Sequence, residues 1–191
     1  MASLSSLLNP APWHIISYST LLGTTLYQSF LVGPISYTAL PRPQFSTLQT
    51  KIFPPFFAVQ TVLPILIALT YPASSAGAHL SPLGASPPQS SFSGVFQSGN
   101  RMTVLVPIAA MFLTGLANLV VLGPATTKVM KERKHQETRD GKKYYESGEH
   151  SKDMRGLNKR FGILHGASSL VNLVGCGGML WYGILLAERL A

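Results

Sequence analysis

Met102 to Leu122 reads MTVLVPIAAMFLTGLANLVVL, an uncharged apolar run followed at once by GPATTKVMKERKHQETRD, Gly123 to Asp140. About 20 apolar residues suffice for a helix to cross a bilayer. A run of that length ending abruptly in charge therefore reads as a membrane span leaving the hydrocarbon. Three similar stretches flank it. Trp13 to Tyr37 is uncharged and long. Ile52 to Tyr71 has the required length with little to spare. Phe161 to Leu186 closes the set. Prolines 54, 55, 64 and 107 fall inside these spans. In lipid they kink helices rather than forbid them, because neighbouring groups satisfy the freed backbone. The expectation is one all-α transmembrane domain, a four-helix bundle with spans at about 13–37, 52–71, 102–122 and 161–186.

The charge distribution supports this. Only 12% of the 191 residues are charged although the net charge is +8, about half the charged fraction of a soluble domain. Residues 1–100 contain Arg42 and Lys51 and no acidic residue, whereas 128–160 holds eleven Lys/Arg against six Asp/Glu. A basic excess confined to one membrane-flanking segment argues for headgroup contact and against nucleic acid. With four spans, thirteen basic residues share one face and Arg101 and Arg189 the other. The positive-inside rule then puts the charged loop 128–160 in the cytosol and both termini on the lumenal or exterior side. The four-residue pairs Lys128–Glu132 and Arg133–Glu137 suit a helix. Asp140-Gly141 breaks it, and 151–160 leads helically into the last span. Residues 72–100, rich in Ser, Pro, Gly and Ala, read as a flexible lumenal loop. The N-terminus lacks both a basic secretory n-region and a mitochondrial presequence, so the first span is read as a retained helix. The default address is a secretory-pathway membrane (endoplasmic reticulum or plasma membrane), with the mitochondrial membrane second.

A weak repeat relates the halves. FLVGPISYTAL and LVVLGPATTKVM share a Gly-Pro exit, and LQTKIFPPFF and LNKRFGILHG open the following spans. Two helical hairpins of the same orientation would be a parallel duplication.

The stretch Leu26 to Phe57 resembles the transmembrane protein 205-like family, long catalogued as a domain of unknown function. The resemblance rests on Gln28, Phe30, Gly33-Pro34, Leu40-Pro41-Arg42, Phe45, Leu48-Gln49 and Phe53-Pro54. A second block carries Arg160-Phe161, His165-Gly166, Ser168-Ser169 and Asn172-Leu173, and the wording is closest to fungal members. It implies a multi-pass protein associated with drug resistance and secretory traffic, with no established enzymatic mechanism.

Polar groups within spans are the candidate site residues, because burying them in lipid is costly. Gln28, Gln60 and Asn172 lie near mid-span, as an amide layer across three helices. His165, Ser168, Ser169 and Asn172 follow at i, i+3, i+4 and i+7, one helical face that lines a pocket or a helix contact. Arg42, Lys51, Lys159 and Arg160 are expected at headgroup level on the cytosolic side, facing anionic lipid. Gly162, Gly166, Gly175, Gly177 and Gly178 form a small-residue surface for helix packing, within the bundle or between copies. Cys176 reads as a small buried residue. No catalytic residue and no metal site is assigned: His14 and His165 start at opposite faces, and His135, His150, Glu146 and Glu149 have no ligand spacing. No cofactor is expected, haem being the one alternative.

Three functions follow, in order. The first is a non-enzymatic protein of membrane transport, trafficking or stress resistance. The second is a membrane-embedded haem-binding or oxygenase-like enzyme. The third is a structural subunit with homo-oligomeric or complex partners.

Overall fold

The computed structural model describes residues 9–71 and 92–188, and all its regular structure there is helical. Four long rods make up most of the described residues. The first is α1 (Pro10–Leu26), a π-helical turn (Tyr27–Val32) and α2 (Gly33–Ala39). The second is α3 (Arg42–Leu69). A short α4 (Phe92–Val95) precedes the third rod, which runs from Ser98 through a π turn (Arg101–Leu105), α5 (Val106–Ala117), a second π turn (Asn118–Leu122) and α6 (Gly123–Asp140). The fourth is α7 (Lys152–Glu188). Most of the loop expected at 72–100 lies outside the described residues; 92–100 forms short helical turns.

Each π turn is followed by one residue and then a proline. The amide of Gly33 donates to the Gln28 carbonyl, Val106 to Arg101 and Gly123 to Asn118, and prolines 34, 107 and 124 follow. A proline ring collides with the carbonyl four residues back and supplies no N–H. Widening the preceding turn to i→i−5 makes room for the ring without breaking the rod. At Gly123 a Cβ would stand 2.6 Å from the Asn118 carbonyl oxygen, so this turn admits glycine alone.

Local signals set the ends. Asn9 accepts the Ala11 amide at 3.0 Å and Pro10 occupies the first turn, starting α1. The first two rods meet at Leu40-Pro41, with no further loop. This corrects the expectation that Arg42 and Lys51 share one level: α3 begins at Arg42, so Lys51 lies about 13 Å along the axis and is exposed. Gly141, at φ 61°, ends α6. Ser151 accepts the Met154 amide at 3.1 Å and donates to Asp140 at 2.6 Å, starting α7 and closing the hairpin. The charged segment 128–160 is thus mostly helix.

The rods pack in a ring: first on second, second on third, third on fourth, and α1 on α7. Two glycines allow close approach. Pro64 deprives the Gln60 carbonyl of its helical donor, and Gly115 packs against it; a Cβ there would lie 2.7 Å from the oxygen. A Cβ at Gly175 would meet Thr114 Oγ1 at 2.5 Å. Gly178 also faces the third rod, through Pro107 and Met111. Gly162, Gly166 and Gly177 meet nothing within 4 Å. Nine residues at 100° each put Gly166 half a turn round from Gly175.

Outward faces are apolar: Val62, Ile65, Leu113, Val120, Leu170 and Ile184 are exposed. The interior holds Thr25, Gln28, Gln60 and Asn118. Polar side chains sheltered beside an apolar core of Leu21, Ile67 and Met111, with apolar residues also facing outward, fit the distribution of a helix bundle in lipid. Three rods, Arg42–Leu69, Ser98–Asp140 and Lys152–Glu188, are long and apolar enough to cross a membrane. The chain is an integral membrane protein by that measure. The first rod, uncharged but rich in Ser and Thr, is the least apolar.

Gly115→Val should lower the midpoint of thermal unfolding in detergent, by a destabilisation of about 1–3 kcal/mol typical of overpacking. Gly166→Val, facing open space, should leave it within experimental error.

Candidate functional site: an amide layer and the cavity above it

At mid-bundle the amides join. Gln60 Nε2 donates to Asn172 Oδ1 at 2.8 Å and to Thr25 Oγ1 at 3.1 Å, and Asn172 Nδ2 donates to Ser29 Oγ at 2.9 Å. First, second and fourth rods are thereby tied together. Beside them Ser168 Oγ donates to Asn118 Oδ1 at 2.8 Å, while Asn118 Nδ2 reaches the Ser168 carbonyl at 3.3 Å, joining third rod to fourth. Of the expected layer, Gln60 and Asn172 meet directly. Gln28, 7% exposed, faces a cavity instead, and its Nε2 has no partner. Asn118, Thr25 and Ser29 were absent from the expected set. Asn118 sits mid-span in LANLVVL, so the depth criterion that selects Gln28 also finds it.

Toward the charged end, past the Ser29–Asn172 bond, the first rod separates from α7, while α1 stays packed on it. The gap is a cavity of about 530 Å³. Its back wall is aromatic: Phe45, Phe53, Phe56 and Phe57 from α3, with Phe53 and Phe57 stacked at 5.3 Å. The third rod contributes Gly123, Thr126, Thr127 and Met130. The fourth gives Phe161, His165, Ser168, Ser169, Asn172 and Cys176. Phe30 and Leu173, both exposed, flank the sides. The expected face His165–Ser168–Ser169–Asn172 therefore lines the cavity, with the His165 ring stacked on Phe161. Gln49, 6% exposed, adds a second amide whose Nε2 has no partner.

Above the cavity lies a cationic rim. The Arg42 guanidinium stacks 3.6 Å over the Tyr37 ring, and Tyr37 packs edge-on against Phe45. Arg42 Nη1 is buried and has no hydrogen-bond partner. Arg133 lies 3.7 Å over Tyr144 and 4.5 Å over Phe161. Burial raises the Tyr144 phenol above its ordinary value, opposed by the Arg133 charge, which keeps the ring neutral beneath the guanidinium. The other expected basic residues are elsewhere: Arg160 pairs with Glu132 at 3.6 Å, and Lys51 and Lys159 are exposed.

His14 is at the far end. Thr70 Oγ1 donates to the Leu66 carbonyl at 2.6 Å and so accepts from His14 Nδ1 at 3.1 Å, leaving Nε2 to accept from the Tyr182 hydroxyl at 2.7 Å. This imidazole and His165 are therefore at opposite ends and cannot share a metal. Among the described residues no cluster of three His, Cys, Asp or Glu side chains could hold an ion.

A family profile, described as a domain of unknown function (DUF4149), matches residues 16–135. The chain belongs to this family. The matched DUF4149 region takes in the first, second and most of the third rod, with Gln28, Arg42, Gln49, Gln60 and Asn118. The chain is also similar, at 28% identity over 189 residues, to the xanthocillin biosynthesis cluster protein D of Aspergillus fumigatus, covering 99% of this chain and 96% of that one. No solved structure matches significantly.

Gln60→Leu and Asn172→Leu should each destabilise the protein, and a double-mutant cycle on unfolding in detergent should give a coupling of about 0.6–1.7 kcal/mol. Additive effects would mean the two amides do not act as a pair.

Proposed function

We propose that this DUF4149 protein is a four-span, non-enzymatic membrane protein of the transmembrane protein 205-like type that holds an apolar small molecule in the cavity between its first and fourth rods. The observation carrying this is the cavity itself: drug-sized, walled by phenylalanines, flanked by exposed Phe30 and Leu173, with two unpaired amides. A gap between helices facing lipid admits ligands already dissolved in the bilayer. Transport or sequestration of such compounds is the role this suits, and stress resistance would follow from it. The relative named for a biosynthesis cluster favours a small-molecule pathway as the setting.

The first rod counts as the fourth span because it is uncharged, comparable in length to the second rod, and bonded to Gln60 and Asn172. The charged hairpin then faces the cytosol and both termini the lumen or exterior, in a secretory-pathway membrane. A parallel duplication finds support in the matching spacing of Gln28–Gly33–Pro34 and Asn118–Gly123–Pro124, each with its π turn. Binding is preferred to catalysis because the wall carries one imidazole and one thiol and no carboxylate. His165 on the wall is what the haem reading has in its favour.

A diazirine-bearing dodecanol, photolysed with the purified protein in phosphatidylcholine nanodiscs, should label peptides of the cavity wall saturably. Ser169→Trp, which fills the gap from its rim, should cut that labelling several-fold. Labelling spread evenly over the outer faces would refute the proposal. A visible absorption band lost in His165→Ala would favour the haem alternative; we expect none.

A further inference from the structure

The cavity's unpaired polar atoms lie on the path from mid-bundle to the charged end. Gln28 Nε2 is at the floor and Gln49 Nε2 on the wall, and just outside the lining Arg42, with Nη1 unpaired, stacks on the lining residue Tyr37. Both glutamines are more than nine-tenths buried. A buried polar atom left unpaired costs more than most single contacts contribute; of the five among the described residues, Arg133 Nε and Asn158 Oδ1 lie elsewhere at the charged end, and the three on or beside this cavity point to a missing polar partner. Whichever way the amides are turned, each leaves one polar atom unpaired; the guanidinium nitrogen is a donor in every orientation.

Arg42 and Gln49 belong to a single face of α3. Positions 42, 45, 49, 53, 56 and 60 recur at three- and four-residue spacing, giving guanidinium, Phe45, amide, Phe53, Phe56 and amide from rim to floor. Other cations at this end are paired, stacked or exposed: Arg160 lies by Glu132, Lys143 by Glu137 and Arg155 by Glu149, the unpaired lysines and Arg139 are exposed, and Arg133, its Nε also without a hydrogen bond, is sandwiched between Tyr144 and Phe161 within the field of Glu137. Among the described residues no carboxylate pairs with Arg42. One uncompensated positive charge above an aromatic slot matches one negative charge on an apolar body.

Resting on the reading of the cavity as a binding site, we propose that its ligand is an amphipathic monocarboxylate, the carboxylate held by Arg42 at the rim and the apolar chain lying along Phe45, Phe53 and Phe57 toward Gln28. A single guanidinium suits a monoanion, and its planar fork can donate to both carboxylate oxygens. A phosphate monoester, carrying nearly two charges, would call for a second free cation.

Three diazirine probes of one chain length distinguish the cases in phosphatidylcholine nanodiscs at neutral pH: dodecanoic acid, dodecanol and dodecyl phosphate. The acid should label the cavity wall about tenfold more efficiently than the alcohol, as expected for one charge-assisted contact. Arg42→Gln should bring the acid to the alcohol's level, and Arg42→Lys should keep much of the preference. Equal labelling by acid and alcohol in the wild type would overturn the carboxylate assignment while leaving the cavity a binding site. So would a preference that survives Arg42→Gln, or a phosphate probe that outcompetes the acid. Absence of cavity labelling by every probe would remove the binding reading and this inference with it.

Discussion

The hydrogen bond from Gln60 to Asn172 is the contact on which the remaining geometry turns. In hydrocarbon an unpaired amide has no water to fall back on. The Gln60 side chain must therefore meet partners on other rods, and it finds Asn172 and Thr25 at once. That fixes the height and rotation of three rods relative to one another. Gly115 then seats the third rod against the Gln60 carbonyl. Side chain and main chain of one residue thus hold all four rods at mid-bundle, and His14 with Thr70 and Tyr182 holds the far end. Past the Ser29–Asn172 bond, no hydrogen bond among the described residues joins first rod to fourth on the way to the charged end, and the cavity opens there.

Much of the architecture was legible in the sequence. Span length and absence of charge are local properties, and so is the abrupt change at Gly123, so the apolar rods and the charged hairpin could be read directly. Depth along a span is also local, which is how Gln60 and Asn172 were singled out. Rotation about the helix axis is not local. The stripe at Gly162 and Gly166 faces away from the bundle because a small shift in register separates it from Gly175, and nothing in composition marks that. The turn at Leu40-Pro41 was likewise hidden: residues 42–51 mix Pro, Gln, Thr and Lys, and resemble a loop until Phe45 and Gln49 are seen to share a face with Phe53.

The site was half legible for the same reason. His165, Ser168, Ser169 and Asn172 repeat on one element, and the periodicity exposes them. Arg42 and Gln49 on α3 and Phe161 on α7 come together only when the rods pack. The π turns depend on the pairing of Gly-Pro with a wide preceding turn, which Gly33-Pro34 and Gly123-Pro124 display but do not announce.

The modest hydropathy of the first rod has a consequence for biogenesis. In the four-span reading, a segment carrying Gln28 and seven hydroxyl residues between Ser17 and Ser36 is a weak candidate for partitioning into lipid alone. Its docking groups, Gln60 and Asn172, belong to segments synthesised later. Stable insertion of the first helix would then wait on the last, and newly made chains would pass through an interval in which the amino-terminal segment is held by the insertion machinery and not yet by the fold.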